Sequence, residues 1–312
     1  MARAQGSRAQ MALAYESTYG TAPATGFFTM PFVSSDLSTE QPLLDSELLG
    51  YGRDPLAPQR DAIKSDGKMV LPVDCIATGH WLKGLLGAPV TTGTTPKTHT
   101  YTSGALTIPS MSIEIGTPEV PYFDMFSGAC VDSIMFKLER SGLLQMTAGL
   151  VAQGNTPNAA TQAGTQTAIA VQRFGHFNGS IKRDTVSLGN MVSAEFTYSN
   201  NLDRIETIRN DGKIDGVDPT IASLGGSLTG RFADTVLLDQ AISGAPCSLE
   251  FAWTISASLS LVLTAHAVYL PRPKRSIDGP DGLKVSFDWQ AAKATSPARM
   301  FTAVLVNAQA SY

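Results

Sequence analysis

"FAWTISASLSLVLTAHAVYL", Phe251–Leu270, runs twenty residues without a charged side chain. That length suffices to cross a bilayer as a helix. Its periodicity points elsewhere. Trp253, Ile255, Ala257, Leu259, Leu261, Leu263, Ala265 and Ala267 alternate with Thr254, Ser256, Ser258, Ser260, Val262, Thr264 and His266. Side chains alternate across a strand, so a period of two makes one apolar and one hydroxyl-rich face, whereas a helix in lipid needs apolar residues all round. The stretch predicts a soluble strand or a bent strand pair, and no membrane span. Outer-membrane barrels share the alternation, but they need many such segments and a secretory signal.

The composition agrees. A chain of 312 residues, 43% hydrophobic and 16% charged, can bury a core and is long enough for two domains of ordinary size. Its 28 glycines and 18 prolines, with abundant Ser and Thr, favour a mainly β architecture with few helices. The 23 Lys and Arg against 27 Asp and Glu give a net charge of −4 with no basic block, the reverse of a protein that grips nucleic-acid phosphates. "MARAQGSRAQMALAYESTYG" at the N-terminus carries positive charge but no apolar core segment, so no signal peptide is read and folding in the cytoplasm is expected. Cys75, Cys130 and Cys247 are odd in number and far apart, which predicts buried reduced thiols.

The chain repeats itself. "LSTE" (Leu37–Glu40) resembles "VSAE" (Val192–Glu195), and "ELLGYGRD", ending at Asp54, parallels "RIETIRND", ending at Asp211. Gly67–Gly87 parallels Gly226–Gly244: in each, a strand leads to an Asp (Asp74, Asp234) and then a short apolar helix, the Asp suited to accept from free backbone N–H groups and the final Gly to the exit. The first helix is expected to bury Ile76, Trp81, Leu82 and Leu85, the second Val236, Leu237, Leu238 and Ile242. "SIEI" (Ser112–Ile115) and "SLEF" (Ser248–Phe251) follow, the first copy carrying an extra polar insert. Turns are expected at Ser141-Gly142 and at Asp278–Gly282. Self-similarity of this kind predicts two tandem β-sandwich or barrel modules, each with one short α-helix, at 1–152 and 172–312, joined by a linker or long loop at 153–171.

Catalytic and metal-binding patterns are hard to find. His80, His99, His176 and His266 have no partner at ligand spacing. "DGKIDGVD" from Asp211 has Asp211, Asp215 and Gly216 in calcium-loop positions, but Lys213 and Ala222 stand where further ligands are required, so a turn-rich connection is the better reading. Nucleophile-elbow, phosphate-loop and dinucleotide fingerprints are absent. The expectation is a protein that is not an enzyme and holds no cofactor.

Ser180–Phe232, together with "ALAYESTYGT" (Ala12–Thr21), resembles the tail tube proteins of long-tailed bacteriophages. The resemblance implies small β-sandwiches, each flanked by a helix, that lend strands to a β-barrel closed between subunits. It also implies stacked rings of six modules forming a conduit for genome DNA, in a virion tail assembled in the host cytoplasm. A chain with two modules would close its ring as a homotrimer with pseudo-sixfold symmetry, with a hexamer of one enlarged module as the fallback. Tape-measure and tail terminator or tip proteins are the implied partners, and double-stranded DNA would pass without specific binding. A basic wall would hold DNA, so an acidic or neutral lining is expected. Glu40 with Glu195, and Glu114 with Glu250, are the candidate lumen-lining pairs, because a ring position must recur in both modules. The insert Thr91–Gly104, the hairpin around Asp45–Gln59 and the connection Gly154–Gln166 are candidates for ring-to-ring contacts. A tail-tip or contractile-tail inner-tube ring would use the same module. A soluble β-sandwich binding module or enzyme is a further alternative.

Overall fold

The computed structural model describes residues 3–274 and 282–312. The turn expected at Asp278–Gly282 lies largely outside the described residues. Fourteen strands and two helices carry the architecture. The first seven strands are β1 (Gln10–Tyr15), β2 (Ser38–Glu40), β3 (Lys64–Pro72), β4 (Met111–Thr117), β5 (Tyr122–Leu138), β6 (Gln145–Ala152) and β7 (Gly154–Asn158), with α1 (Ala77–Leu86) after β3. The second seven are β8 (Gly179–Arg183), β9 (Met191–Ser199), β10 (Ser223–Arg231), β11 (Cys247–Ser256), β12 (Leu259–Tyr269), β13 (Lys284–Ala292) and β14 (Phe301–Asn307), with α2 (Val236–Ser243) after β10.

The stretch Phe251–Leu270 is a bent strand pair. It ends β11, turns at Ala257-Ser258 and continues as β12, with Trp253, Leu261, Leu263 and Ala265 buried and Thr254 and Ser256 exposed.

The two sets of seven make the same antiparallel partnerships. In the first, β1 pairs β4, β4 pairs β5, β5 pairs both β6 and β7, β6 pairs β3, and β3 pairs β2. In the second, β8 pairs β11, β11 pairs β12, β12 pairs both β13 and β14, β13 pairs β10, and β10 pairs β9. The irregularities recur too: β4 slips register between Met111 and Ile113, and β11 between Cys247 and Leu249. Gly67 and Gly226 both sit under a neighbouring backbone, where an added Cβ would stand closer than 3.0 Å to Leu37 and to Glu195 and Phe196 respectively. A side chain cannot be fitted at either without moving the adjacent strand.

β5 and β12 bend from one layer into the other, so each set folds into two packed layers. The shared core shows the packing: Phe196 of β9 lies 4.7 Å from Phe251 of β11, and Phe136 of β5 lies 5.1 Å from Phe196, ring centre to ring centre. Stacked aromatic rings at this spacing add to the burial of their area. All three cysteines are buried and unpaired.

The N-cap positions are Ile76 and Thr235, two and one residues past the Asp expected to cap each helix, yet each Asp still serves the first free N–H groups. The Asp74 carboxylate accepts from the Ile76 N–H at 2.9 Å and the Thr78 N–H at 3.2 Å, and Asp234 accepts from the Val236 N–H at 3.1 Å. Gly87 and Gly244 end them at positive φ, +90° and +66°. Their burial differs. Trp81, Leu82 and Leu85 of α1 are buried, whereas Val236 and Ile242 of α2 are 41% and 54% exposed. The insert supplies the difference: it folds as two short strands, Val90–Thr92 and Lys97–Thr102, and Tyr101 donates to the Gly79 carbonyl at 2.9 Å over α1. Residues 153–171 lie against the first half. They carry β7, Thr161 and the Gln162 N–H both donate to Glu114, and the Thr167 N–H donates to the Phe27 carbonyl at 2.8 Å.

Candidate functional site

A strand with one apolar and one polar face buries the first and offers the second. In this chain the offer is large, because β5 also pairs β9 and so joins the two halves edge to edge. The result is a continuous antiparallel sheet in the order β2, β3, β6, β5, β9, β10, β13 and the last residues of β12. One face is core: Met69 and Leu71, Met146 and Ala148, Ile134 and Phe136, Phe196 and Tyr198, Leu224 and Leu228, Phe287 and Trp289 are all buried.

The other face is polar and open to solvent. Cross-strand pairing sets its side chains in rows. One row runs Gln145, Lys137, Glu195, Ser227 and Asp288, and another runs Lys68, Gly149, Ser133, Ser199 and Ser223. Hydroxyls and glycines dominate the surface between charges. Positive groups stand beside negative ones: Lys64 lies 3.7 Å from Asp66 and opposite Glu40, and Lys137 lies 3.0 Å from Glu139 and opposite Glu195. The ammonium of Lys137 is held above its usual range first by its hydrogen bond to Glu139 and last by the Glu195 charge. Such interleaving leaves no basic strip to which a polyanion would adhere.

The four candidate glutamates divide between the layers. Glu40 and Glu195 are exposed on this polar face. Glu114 and Glu250 lie on β4 and β11, in the other layer. Glu114 is buried and takes hydrogen bonds from Thr161 and from the Gln162 N–H at 2.6 Å, so it anchors the connection 159–166. Glu250 pairs with Lys182 of β8 at 2.8 Å. The ladder also refines the pairing. Counted from the matching Gly67 and Gly226, Phe196 stands opposite Gly226 and Leu37 opposite Gly67, so the counterpart of Glu195 is the exposed Asp36, and Glu40 corresponds to Ser199. Lys137, Ser227 and Asp288 complete the central row. Their signal in the sequence is the alternation of "FKLER" and "VSFDWQ".

The seam between the halves is tightly made. Asn200, at the end of β9, donates to the carbonyls of Leu85 and Val131, both at 3.0 Å, and its backbone N–H donates to the Asp132 carbonyl at 2.7 Å. The hairpin Leu202–Ile205/Gly216–Pro219 then lies over the first half, where the Leu202 N–H meets Asp132 at 2.9 Å and Arg204 pairs with Asp66. Among the described residues no helix is long and apolar enough to cross a membrane.

A family model described as phage tail tube protein matches residues 6–291, and the chain belongs to that family. It is a structural protein of the phage tail tube. No curated relative matches the chain.

Proposed function

We propose that three copies of this chain close into a ring with pseudo-sixfold symmetry, and that rings stack into the conduit through which genome DNA leaves the virion. The carrying observation is the sheet of eight antiparallel strands, polar on one side, whose end strand β2 pairs only with β3 among the described residues. Three such sheets joined at their edges make a closed barrel, which removes the exposed edges that otherwise invite aggregation. The recurrence of every partnership of β1–β7 in β8–β14 supports reading the chain as two tandem modules, each counting as one-sixth of the ring.

On this reading the polar face lines the lumen. Asp36, Glu40, Glu195 and Asp288 supply carboxylates there, and the nearby lysines are locally neutralised. DNA, which carries one negative charge per about 1.7 Å of axis, slides along such a wall without being held. Tape-measure and terminator or tip proteins are the partners this role requires, and assembly takes place in the host cytoplasm. Negative-stain imaging of the expressed chain, with rotational averaging, tests the proposal. Three or six lobes around a hole and long hollow filaments are expected. Single-layer rings would indicate a tip component, and compact monomers at high concentration would overturn the reading.

A further inference from the structure

Two partnerships between the halves break the correspondence: the insert strand Lys97–Thr102 pairs β14, and β5 pairs β9. Every pairing within β1–β7 has its counterpart seven strands later, but the seam pairing of β5 with β9 corresponds to a pairing of β12 with β2, and these lie at opposite ends of the sheet. We propose that this missing seam forms between two copies of the chain, β2 of one against residues 270–274, directly after β12, of the next, in the register of the β5–β9 seam; the inference rests on the ring reading above.

The residues on both sides fit. The matching bulges at Met111 and Cys247 align Ala129 with Val268, so Val131 corresponds to Leu270, Asp132 to Pro271 and Ser133 to Arg272. On the other strand, Ser199 corresponds to Glu40 and Asn200 to Gln41. In the internal seam Ser133 stands opposite Ser199. Between copies the same position places Arg272 opposite Glu40, a complementary pair of exposed side chains. Gln41 has the amide that Asn200 uses; within one copy it donates to the Asp61 carbonyl at 2.9 Å, a bond it exchanges on docking. The counterparts of the Val131 and Leu85 carbonyls are those of Leu270 and Ile242, and beside them opens a depression of about 480 Å³ lined by Gly244, Tyr269, Leu270, Pro271 and Trp289. The buried indole N–H of Trp289 has no hydrogen-bond partner, so a further donor is available to the incoming amide.

The surroundings are unfinished on both sides as well. The second half's hairpin rests on the first half, but its counterpart, the hairpin Leu43–Leu44/Gln59–Arg60 and its loop, exposes Leu48 at 66%, Leu49 at 93% and Tyr51 at 65%. The target side exposes Ile242 at 54% and Tyr269 at 40%. A second copy docked in the seam register brings these apolar surfaces together. Pro271 keeps the carbonyl that corresponds to the one the Asn200 N–H uses, whereas Pro273 lacks the N–H that Ile134 brings to the internal seam, so the ladder between copies is one bond shorter there.

The test introduces cysteines at Glu40 and Arg272, both exposed, in a chain whose native cysteines are buried. Directly opposed strand residues have Cβ atoms about 4.5–5.5 Å apart, near the reach of a disulfide. Oxidation of the double variant Glu40→Cys/Arg272→Cys under assembly conditions is expected to give covalent oligomers, and a mixture of the two single variants only dimers. In parallel, Glu40→Arg or Arg272→Glu alone should raise the concentration needed for rings about fivefold or more, and the two together should restore it. Rings on the grid without cross-links, or charge reversals without effect, overturn this register while leaving the ring reading intact. Monomers without cross-links for the unaltered chain and variants alike overturn both.

Discussion

Asn200 reaches from the end of β9 to the carbonyl of Val131, 3.0 Å away, and ties the second half of the chain to the first. The amide is buried and serves Leu85 as well, so its loss strands two carbonyls in the seam. Asn200→Ala is expected to lower stability by about 2 kcal/mol, the cost of leaving buried polar groups unmet. Urea unfolding of the variant measures it, and a change below experimental error would remove the seam's special role.

Gly226 lies beneath the backbone of Glu195 and Phe196. A methyl group there forces two paired strands apart, so Gly226→Ala is expected to destabilise by about 1–3 kcal/mol. Gly67→Ala should do the same under Leu37. Gly189, whose added Cβ meets nothing within 4 Å, is the control, and Gly189→Ala should melt with the parent.

His80 is buried among Tyr15, Phe28 and Tyr312, and burial, with a smaller contribution from the Lys83 charge, lowers its pKa from 6.5 to about 4. The unfolded chain therefore binds this proton at a higher pH than the folded one. Stability should fall as pH drops from about 6.5 to about 4, with a contribution of roughly 3 kcal/mol from this group. Both ring nitrogens lack partners, so His80→Leu should fold and show a shallower loss across that window. Equal slopes for the two proteins would contradict this.

Glu114 and Glu250 should behave differently when made Gln. Glu114 is buried and holds Thr161 and Gln162, so Glu114→Gln should expose the segment 159–166 to protease. Glu250 makes a half-exposed ion pair with Lys182, and Glu250→Gln should change stability by under about 1 kcal/mol. Limited proteolysis of both variants reads the contrast.

Neutralising Glu195 and Asp288 removes two carboxylates from the polar face and leaves Lys137 with Glu139 alone. Phage carrying Glu195→Gln/Asp288→Asn should assemble tails and eject DNA more slowly, with the delay relieved by salt. Ejection at the parental rate would remove the face from the path of DNA.

Much of this was legible in the sequence. The alternation from Trp253 to Ala267 gave the strand pair, and the matching of Gly67 with Gly226 and Asp74 with Asp234 landed on corresponding strands and helix starts. The pairing of Glu40 with Glu195 slipped by four residues because an even shift preserves a period-two pattern: either alignment keeps the polar residues on the polar face. Only the ladder, counted from the glycines, makes Asp36 the counterpart. Val236 and Ile242 read as core because an apolar helix residue carries no mark of what covers it. The buried role of Glu114 was illegible for a related reason, since its partners lie some fifty positions away.

The β5–β9 seam is made within one polypeptide. In the proposed ring of three, half of the joints would thus be present before any two molecules meet, and only the other half would bear the entropic penalty of encounter. On that proposal, fusing two units this way would shorten the kinetic path to a complete annulus and leave fewer dead-end fragments on it.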